Sequence, residues 1–171
     1  MHIHSAAVLG AGTMGAQIAA HLANAGLPVL LLDLDRNTAA DGLRRATKLK
    51  PNPFFTRASI DLISLGGFDV DLPQLKEYDW IIEAVIERLD TKQSLMAQIE
   101  PFRASHAIIS SNTSGIPIAS IADGLSEEFR HQWLGTHFFN PPRYLPLLEI
   151  IPTADTQPSV VDTLRNFGDR F

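Results

Sequence analysis

His137 and Glu149 are singled out by their surroundings. His137 follows the apolar run Trp133-Leu134-Gly135-Thr136 and precedes Phe138-Phe139-Asn140-Pro141-Pro142, a rigid apolar loop. Glu149 is the single charge in Leu147-Leu148-Glu149-Ile150-Ile151. A carboxylate buried in such a strand is costly unless it has a partner. Holding one nitrogen of an imidazole, it would fix the tautomer and raise the basicity of the ring. Two plainer readings stand beside this one: His137 as a satisfied core residue, and Glu149 as an exposed position on an edge strand. If the two do pair, the chemistry on offer is proton transfer. The chain has no cysteine and no GxSxG nucleophile elbow, so such a pair points to proton transfer coupled to hydride movement, not to acyl transfer.

A hydride needs a carrier, and the start of the chain provides for one. The apolar run Ala6-Ala7-Val8-Leu9 leads into Gly10-Ala11-Gly12-Thr13-Met14-Gly15. An alanine-rich stretch with apolar residues at helical spacing follows, closed by Gly26, and a second apolar run, Val29-Leu30-Leu31-Leu32, ends on Asp33. This is the order strand, tight turn, helix, strand, acid. Gly10 permits the turn, Gly12 lets the backbone approach a pyrophosphate, and Gly15 lets the helix sit close to the sheet. The free N–H groups at the helix start face the phosphates. Asp33 can accept hydrogen bonds from the adenosine ribose and would repel a 2′-phosphate, which favours NAD over NADP. A phosphate-free turn of the same shape, or a site for another adenosine ligand, is the competing reading.

The other histidines carry less. His2 and His4 lie at the terminus, and His21, His106 and His131 fall on helix or loop positions read as solvated. No HExxH, no histidines paired at helical spacing and no carboxylate cluster argue for a metal.

The rest of the chain must position these groups. Its 171 residues suit one domain, and the 45% apolar and 19% charged composition is that of an ordinary globular protein. The net charge of −5, without a basic tail, argues against nucleic acid as a partner. No apolar run approaches the ~18 residues of a membrane span. A start almost directly on a strand leaves no room for a secretion signal, and the missing cysteines fit a cytoplasmic protein.

Beyond Asp33, the pattern Thr38 to Asp41 predicts a capped helix to about Lys48, stopped by Pro51 and Pro53. Residues 60–65 read as a strand ended by Gly66-Gly67, and a short helix starts at Pro73. Trp80 to Val85 is a strand buried on both faces, and Asp90-Thr91-Lys92-Gln93 caps a helix to about Arg103. Residues 107–110 form a buried strand running into the polar turn Ser111-Asn112-Thr113-Ser114-Gly115. A short helix over 117–123, a strand over 147–151 and an amphipathic helix over 158–167 complete the chain. Strands alternating with helices predict an α/β fold, a Rossmann-type doubly wound, mostly parallel sheet, with ligand at the carboxyl ends of the strands.

These motifs together resemble one family. Gly10 to Gly15, Glu83-Ala84-Val85-Ile86-Glu87, Ser111-Asn112-Thr113-Ser114, His137-Phe138-Phe139-Asn140-Pro141 and Leu148-Glu149-Ile150-Ile151 occur in the order seen in L-3-hydroxyacyl-CoA dehydrogenases of fatty-acid β-oxidation. The resemblance spans essentially the whole chain and is strongest to the NAD-binding domain of the larger bacterial enzymes. It implies NAD as cofactor, an acyl-CoA substrate, His137 as catalytic base, Glu149 as its orienting acid and Ser111 on the substrate oxygen. It also implies Asn140 near substrate, Asn112 at the nicotinamide end, and Glu87 and Lys92 against the nicotinamide half. Read without the resemblance, Lys92 is a solvated first-turn lysine. Lys48, Lys50 and Arg57 are open to two readings, CoA-phosphate contacts or a solvated basic face. Family members continue into a helical C-terminal domain that closes over substrate and dimerises. The expectation is therefore that residues 1–171 are the cofactor domain, binding NAD but turning over weakly or not at all alone. A dehydrogenase of short β-hydroxyacids and a non-catalytic nucleotide sensor are the alternatives.

Overall fold

The computed structural model describes residues 2–170. Among these, seven strands form one sheet: β1 Ala6–Leu9, β2 Val29–Asp33, β3 Ile63–Gly67, β4 Trp80–Glu83, β5 Ile108–Ser111, β6 Trp133–Phe138 and β7 Leu148–Pro152. The spatial order is β3-β2-β1-β4-β5-β6-β7. All neighbours run parallel except β6 and β7, which are antiparallel. The chain steps outward from β1 to β3, then returns to the other side of β1 with β4. That reversal opens a crevice at the carboxyl ends of β1 and β4, the place where doubly wound sheets take ligands.

Among the described residues six α-helices accompany the sheet: α1 Thr13–Asn24, α2 Arg36–Ala46, α3 Leu89–Ile99, α4 Ile118–Ile121, α5 Glu127–His131 and α6 Pro158–Gly168. Ala6 and Val8 of β1 pack with Ile18 and Leu22 of α1 and Leu164 of α6. Ala7 and Leu9 face the opposite side, with Leu95, Met96 and Ile99 of α3 and Phe129 of α5. Both faces are covered, so the strands are apolar runs without polar alternation.

Several boundaries differ from the sequence reading, each for a physical reason. α2 begins earlier because Asp35 caps it, its carboxylate accepting from the Thr38 amide at 2.7 Å. Residues 57–62 form a 3-10 turn capped by Thr56, and β3 starts only at Ile63 and runs through Gly66 and Gly67. Those glycines are in the strand because a Cβ on Gly67 would sit 2.8 Å from the Asp35 backbone and one on Gly66 2.6 Å from the Asp71 carboxylate. α3 starts at Leu89, so Asp90 lies inside its first turn, paired with Arg88, and does not cap it. β5 is shifted by one residue, which makes Ser111 a sheet residue. His137 likewise stands within β6, not after it.

Candidate active site

The glycine turn at the crevice shows three different demands. Gly10 has φ +104°, and a Cβ there would lie 2.7 Å from the Ala84 carbonyl oxygen. A Cβ on Gly15 would fall 1.8 Å from the carbonyl oxygen of Gly10, so α1 packs on the turn only without one. Gly12 has nothing within 4 Å of its missing Cβ, so the backbone there borders open space in the crevice. Gly12 is also the N-cap of α1 and no side chain caps that helix, so its first N–H groups are left for an anion. A fourth glycine was not anticipated. Gly42 of α2 brings that helix against the turn, where a Cβ would meet the Ala11 carbonyl oxygen at 2.2 Å. A glycine inside a helix costs about 1 kcal/mol relative to alanine, and that anomaly was the available signal.

Asp33, the last residue of β2, braces this turn. Its Oδ2 accepts the Ala11 amide at 2.6 Å and its Oδ1 the Leu34 amide at 2.7 Å.

Two hollows meet at the turn and share Gly12 and residues 84–86. The first, about 650 Å³, lies on the β2 side between Asp33, Leu34, Phe68 and the α3 residues Ser94 and Gln98. The second, about 520 Å³, lies on the β5–β6 side and is lined by Met14, Glu87, Asn112, Ser114, His137 and Asn140. A two-lobed cleft hinged on a phosphate-ready turn suits a dinucleotide, and Asp33 lines its first lobe.

The second lobe holds the acid–base groups. His137 and Glu149 are directly opposite in the β6–β7 register, and Nδ1 lies 2.9 Å from Oε2. Glu149 is a half-exposed edge-strand residue, its side chain 50% accessible, and it still has the partner. Both readings of that residue therefore hold in part. The ring of His137 meets Phe139 edge-on, with centroids 4.8 Å apart. Asn112 Oδ1 accepts the Phe138 amide at 2.8 Å, and Asn140 Oδ1 accepts Gln17 Nε2 at 3.2 Å. Gln17 Nε2 also donates to the Thr13 carbonyl, which ties the start of α1 to the loop after β6.

Two residues sit elsewhere than the sequence reading puts them. Ser111 is fully buried and donates to Glu83 Oε2 at 2.5 Å, so its hydroxyl is turned away from the lobe. The serine on the lobe wall is Ser114, three residues on. Lys92 is not solvated but 1% exposed, with Nζ 2.6 Å from Glu83 Oε1, 3.3 Å from Glu87 Oε2 and 3.5 Å from the Val85 carbonyl oxygen. Its three N–H bonds match three protein acceptors. Removing one partner of such a buried pair typically costs about 3–5 kcal/mol, since the other charge is left uncompensated. Glu87 accepts from Thr113 Oγ1 and from the amides of Ser114 and Gly115 at 3.1 and 3.0 Å. Burial pushes its carboxyl up, but the Thr113 hydroxyl, the Gly115 amide, the Lys92 charge and the Ser114 amide together outweigh that and hold it below the usual carboxylate value.

His21 also differs from its solvated reading. It is half-buried against Phe138, its Nδ1 has no hydrogen-bond partner among the described residues, and burial lowers its pKa.

Fold and cleft define the class, a dinucleotide-binding domain of the dehydrogenase kind. Residues 5–171 match the family model described as 3-hydroxyacyl-CoA dehydrogenase, NAD binding domain, and the chain belongs to that family, whose cofactor is NAD. It is 50% identical over 176 residues to a probable 3-hydroxyacyl-CoA dehydrogenase of Deinococcus radiodurans, covering 99% of this chain and 51% of that protein. A Bacillus subtilis protein of the same description is 42% identical over 189 residues, covering 98% of this chain and 24% of its own length. The chain thus spans about half, or a quarter, of the curated relatives it matches. Among solved structures, the 3-hydroxybutyryl-CoA dehydrogenase of Escherichia coli K12 superposes with a TM-score of 0.83 at 28% identity, over 98% of this chain and 36% of that one. No helix among the described residues is long and apolar enough to cross a membrane.

Proposed function

We propose that this chain is the cofactor domain of an enzyme that oxidises L-3-hydroxyacyl-CoA to 3-oxoacyl-CoA, with His137 as the base. The observation that carries the reading is that His137, on the wall of the lobe beside the glycine turn, has its Nδ1 2.9 Å from Glu149 Oε2. NAD supplies an acceptor for the hydride leaving C3. His137 takes the proton of the 3-hydroxyl on the nitrogen that Glu149 does not hold. Glu149 keeps the ring in one tautomer and stabilises the imidazolium that forms. Ser114 and Asn140 line the same lobe and are the groups available to the substrate oxygen. Ser111 would have to leave Glu83 to reach it.

A role in fatty-acid oxidation is supported by relatives described as putative fatty acid oxidation complex trifunctional enzymes, 35% identical in Rickettsia felis, of which this chain covers 24%. The acyl-CoA contacts, closure over substrate and oligomerisation belong in this proposal to the remainder of the enzyme. The test is a calorimetric titration of this chain with NADH and, separately, acetoacetyl-CoA. The reading requires NADH binding that is weakened in Asp33→Ala, with feeble acyl-CoA binding. Absence of NADH binding would overturn it.

A further inference from the structure

Glu83 is a fully buried charged group beside the cleft that the proposed chemistry leaves unused. It ends β4, is 0% exposed, and stands beside Ser111 in the β4–β5 register. Oε1 accepts the Val85 amide at 2.7 Å and Lys92 Nζ at 2.6 Å, and Oε2 accepts the Ser111 hydroxyl at 2.5 Å. From there two routes lead to the same segment. Ser111 Oγ accepts the Thr113 amide at 3.2 Å. Lys92 passes to Glu87, whose Oε1 receives the Thr113 hydroxyl and the amides of Ser114 and Gly115. A single buried carboxylate thus fixes the 113–115 turn twice, through the Ser111 hydroxyl and through the Lys92–Glu87 pair.

Lys92 could not hold this place alone. It lies in the first turn of α3, where the helix dipole disfavours a cation, and its burial removes water that would otherwise solvate it. Glu83 offsets both penalties and leaves Lys92 oriented to hold Glu87.

We propose that Glu83 is a positioning residue for the nicotinamide-side lobe: through Lys92 and Ser111 it sets the wall formed by Glu87 and Ser114. It touches neither cofactor nor substrate. This rests on the reading that the nicotinamide half of NAD occupies the second lobe. Of the adenosine-side lining only the shared Val85 touches the network, through its amide on Glu83 and its carbonyl on Lys92. Asp33 and its bonds to the turn lie outside it, so loss of Glu83 acts chiefly on the nicotinamide half.

The test uses this chain with two variants. Glu83→Gln leaves Lys92 with a neutral partner and risks instability. The double variant Glu83→Gln/Lys92→Met removes both charges of the buried pair and leaves only Glu87, whose side chain is 42% accessible, without its cation. Amide hydrogen exchange of the empty protein reads the turn, and titrations with NADH and with ADP-ribose, which lacks nicotinamide, read the lobes separately. In the double variant, the expected result is at least tenfold lost protection at Ser114 and Gly115, with β1 and α1 amides unchanged. NADH affinity should fall about tenfold and ADP-ribose affinity stay within twofold. Unchanged protection at Ser114 and Gly115, or an equal loss for both ligands, overturns the proposal. A wild-type chain that binds neither ligand would instead overturn the cofactor reading itself, and one that binds both equally would remove nicotinamide from the second lobe.

Discussion

The two lobes of the cleft are built on different principles. The β2-side lobe is made by backbone shape: Gly10, Gly12, Gly15 and Asp33 lie within one β1–α1–β2 unit, and a single carboxylate braces the turn. The β5–β6 lobe is made by side-chain charge. Its groups come from the ends of β4, β5, β6 and β7 and are held by Glu83, Lys92, Glu87 and the His137–Glu149 pair. Shape suffices to seat a phosphate on free N–H groups. Moving a proton and a hydride, as proposed for this lobe, needs donors and acceptors at fixed points, and the polar groups there are held by specific partners in the sheet and in α3. The first lobe is therefore expected to fail by steric damage and the second by loss of orientation.

That contrast can be broken in graded ways. In the full-length enzyme His137→Ala is expected to lower kcat about 10²–10⁴-fold while the NADH Kd stays within twofold, as steady-state kinetics beside a titration would show. A parallel loss of NADH binding would mean that the two lobes are not separable. Gly15→Ala should cost about 3 kcal/mol, because a 1.8 Å approach cannot be relieved without moving α1. In a thermal melt that is a fall of roughly 6–12 °C. Asp33→Ala removes a charged acceptor from both ribose and turn, worth about 1.5–3 kcal/mol, or roughly tenfold to 100-fold in NADH affinity, with acyl-CoA binding unaltered.

The two serines sharpen the second lobe. Ser111→Ala is expected to lower stability by about 1–2 kcal/mol through the unsatisfied Glu83 oxygen, whereas Ser114→Ala should leave the melt unchanged and slow turnover. The reverse pattern would restore Ser111 to the substrate. The smallest effect is on pH. Glu87 has a lowered folded pKa, so its contribution is fully present above the ordinary carboxyl value of 4.5 and is lost as pH falls through the depressed value. Hydrogen exchange at Ser114 and Gly115 should accordingly be flat at neutral pH, once corrected for intrinsic rates, and lose protection only in acid.

The same contrast explains what could be read from the residues alone. The first lobe is written in consecutive sequence, so strand, turn, helix and terminal acid were visible in order. His137 and Glu149 were visible as polar groups in apolar surroundings. What escaped was non-local. Ser111 and Ser114 sit in one polar turn, and which of them faces inward depends on β5 reaching Ser111 and aligning it with Glu83. Lys92 looks like any first-turn lysine until β4 brings a carboxylate beneath it. Residues 60–65 carry too little alternation to show where a 3-10 turn gives way to a strand, since that boundary is set by pairing with β2.

The His137–Glu149 pair is a rung of the β6–β7 ladder, and β7 is the outermost strand on that side. Its acid is carried by the part of the sheet with neighbours on one side only, while the glycine turn is rooted at the centre. On heating this chain, the strand that carries Glu149 should loosen from the rim inward, so His137 would lose its carboxylate partner while most of the sheet still stands. Loss of hydrogen-exchange protection in β7 should then run ahead of the unfolding transition of this chain, with NADH binding outlasting it.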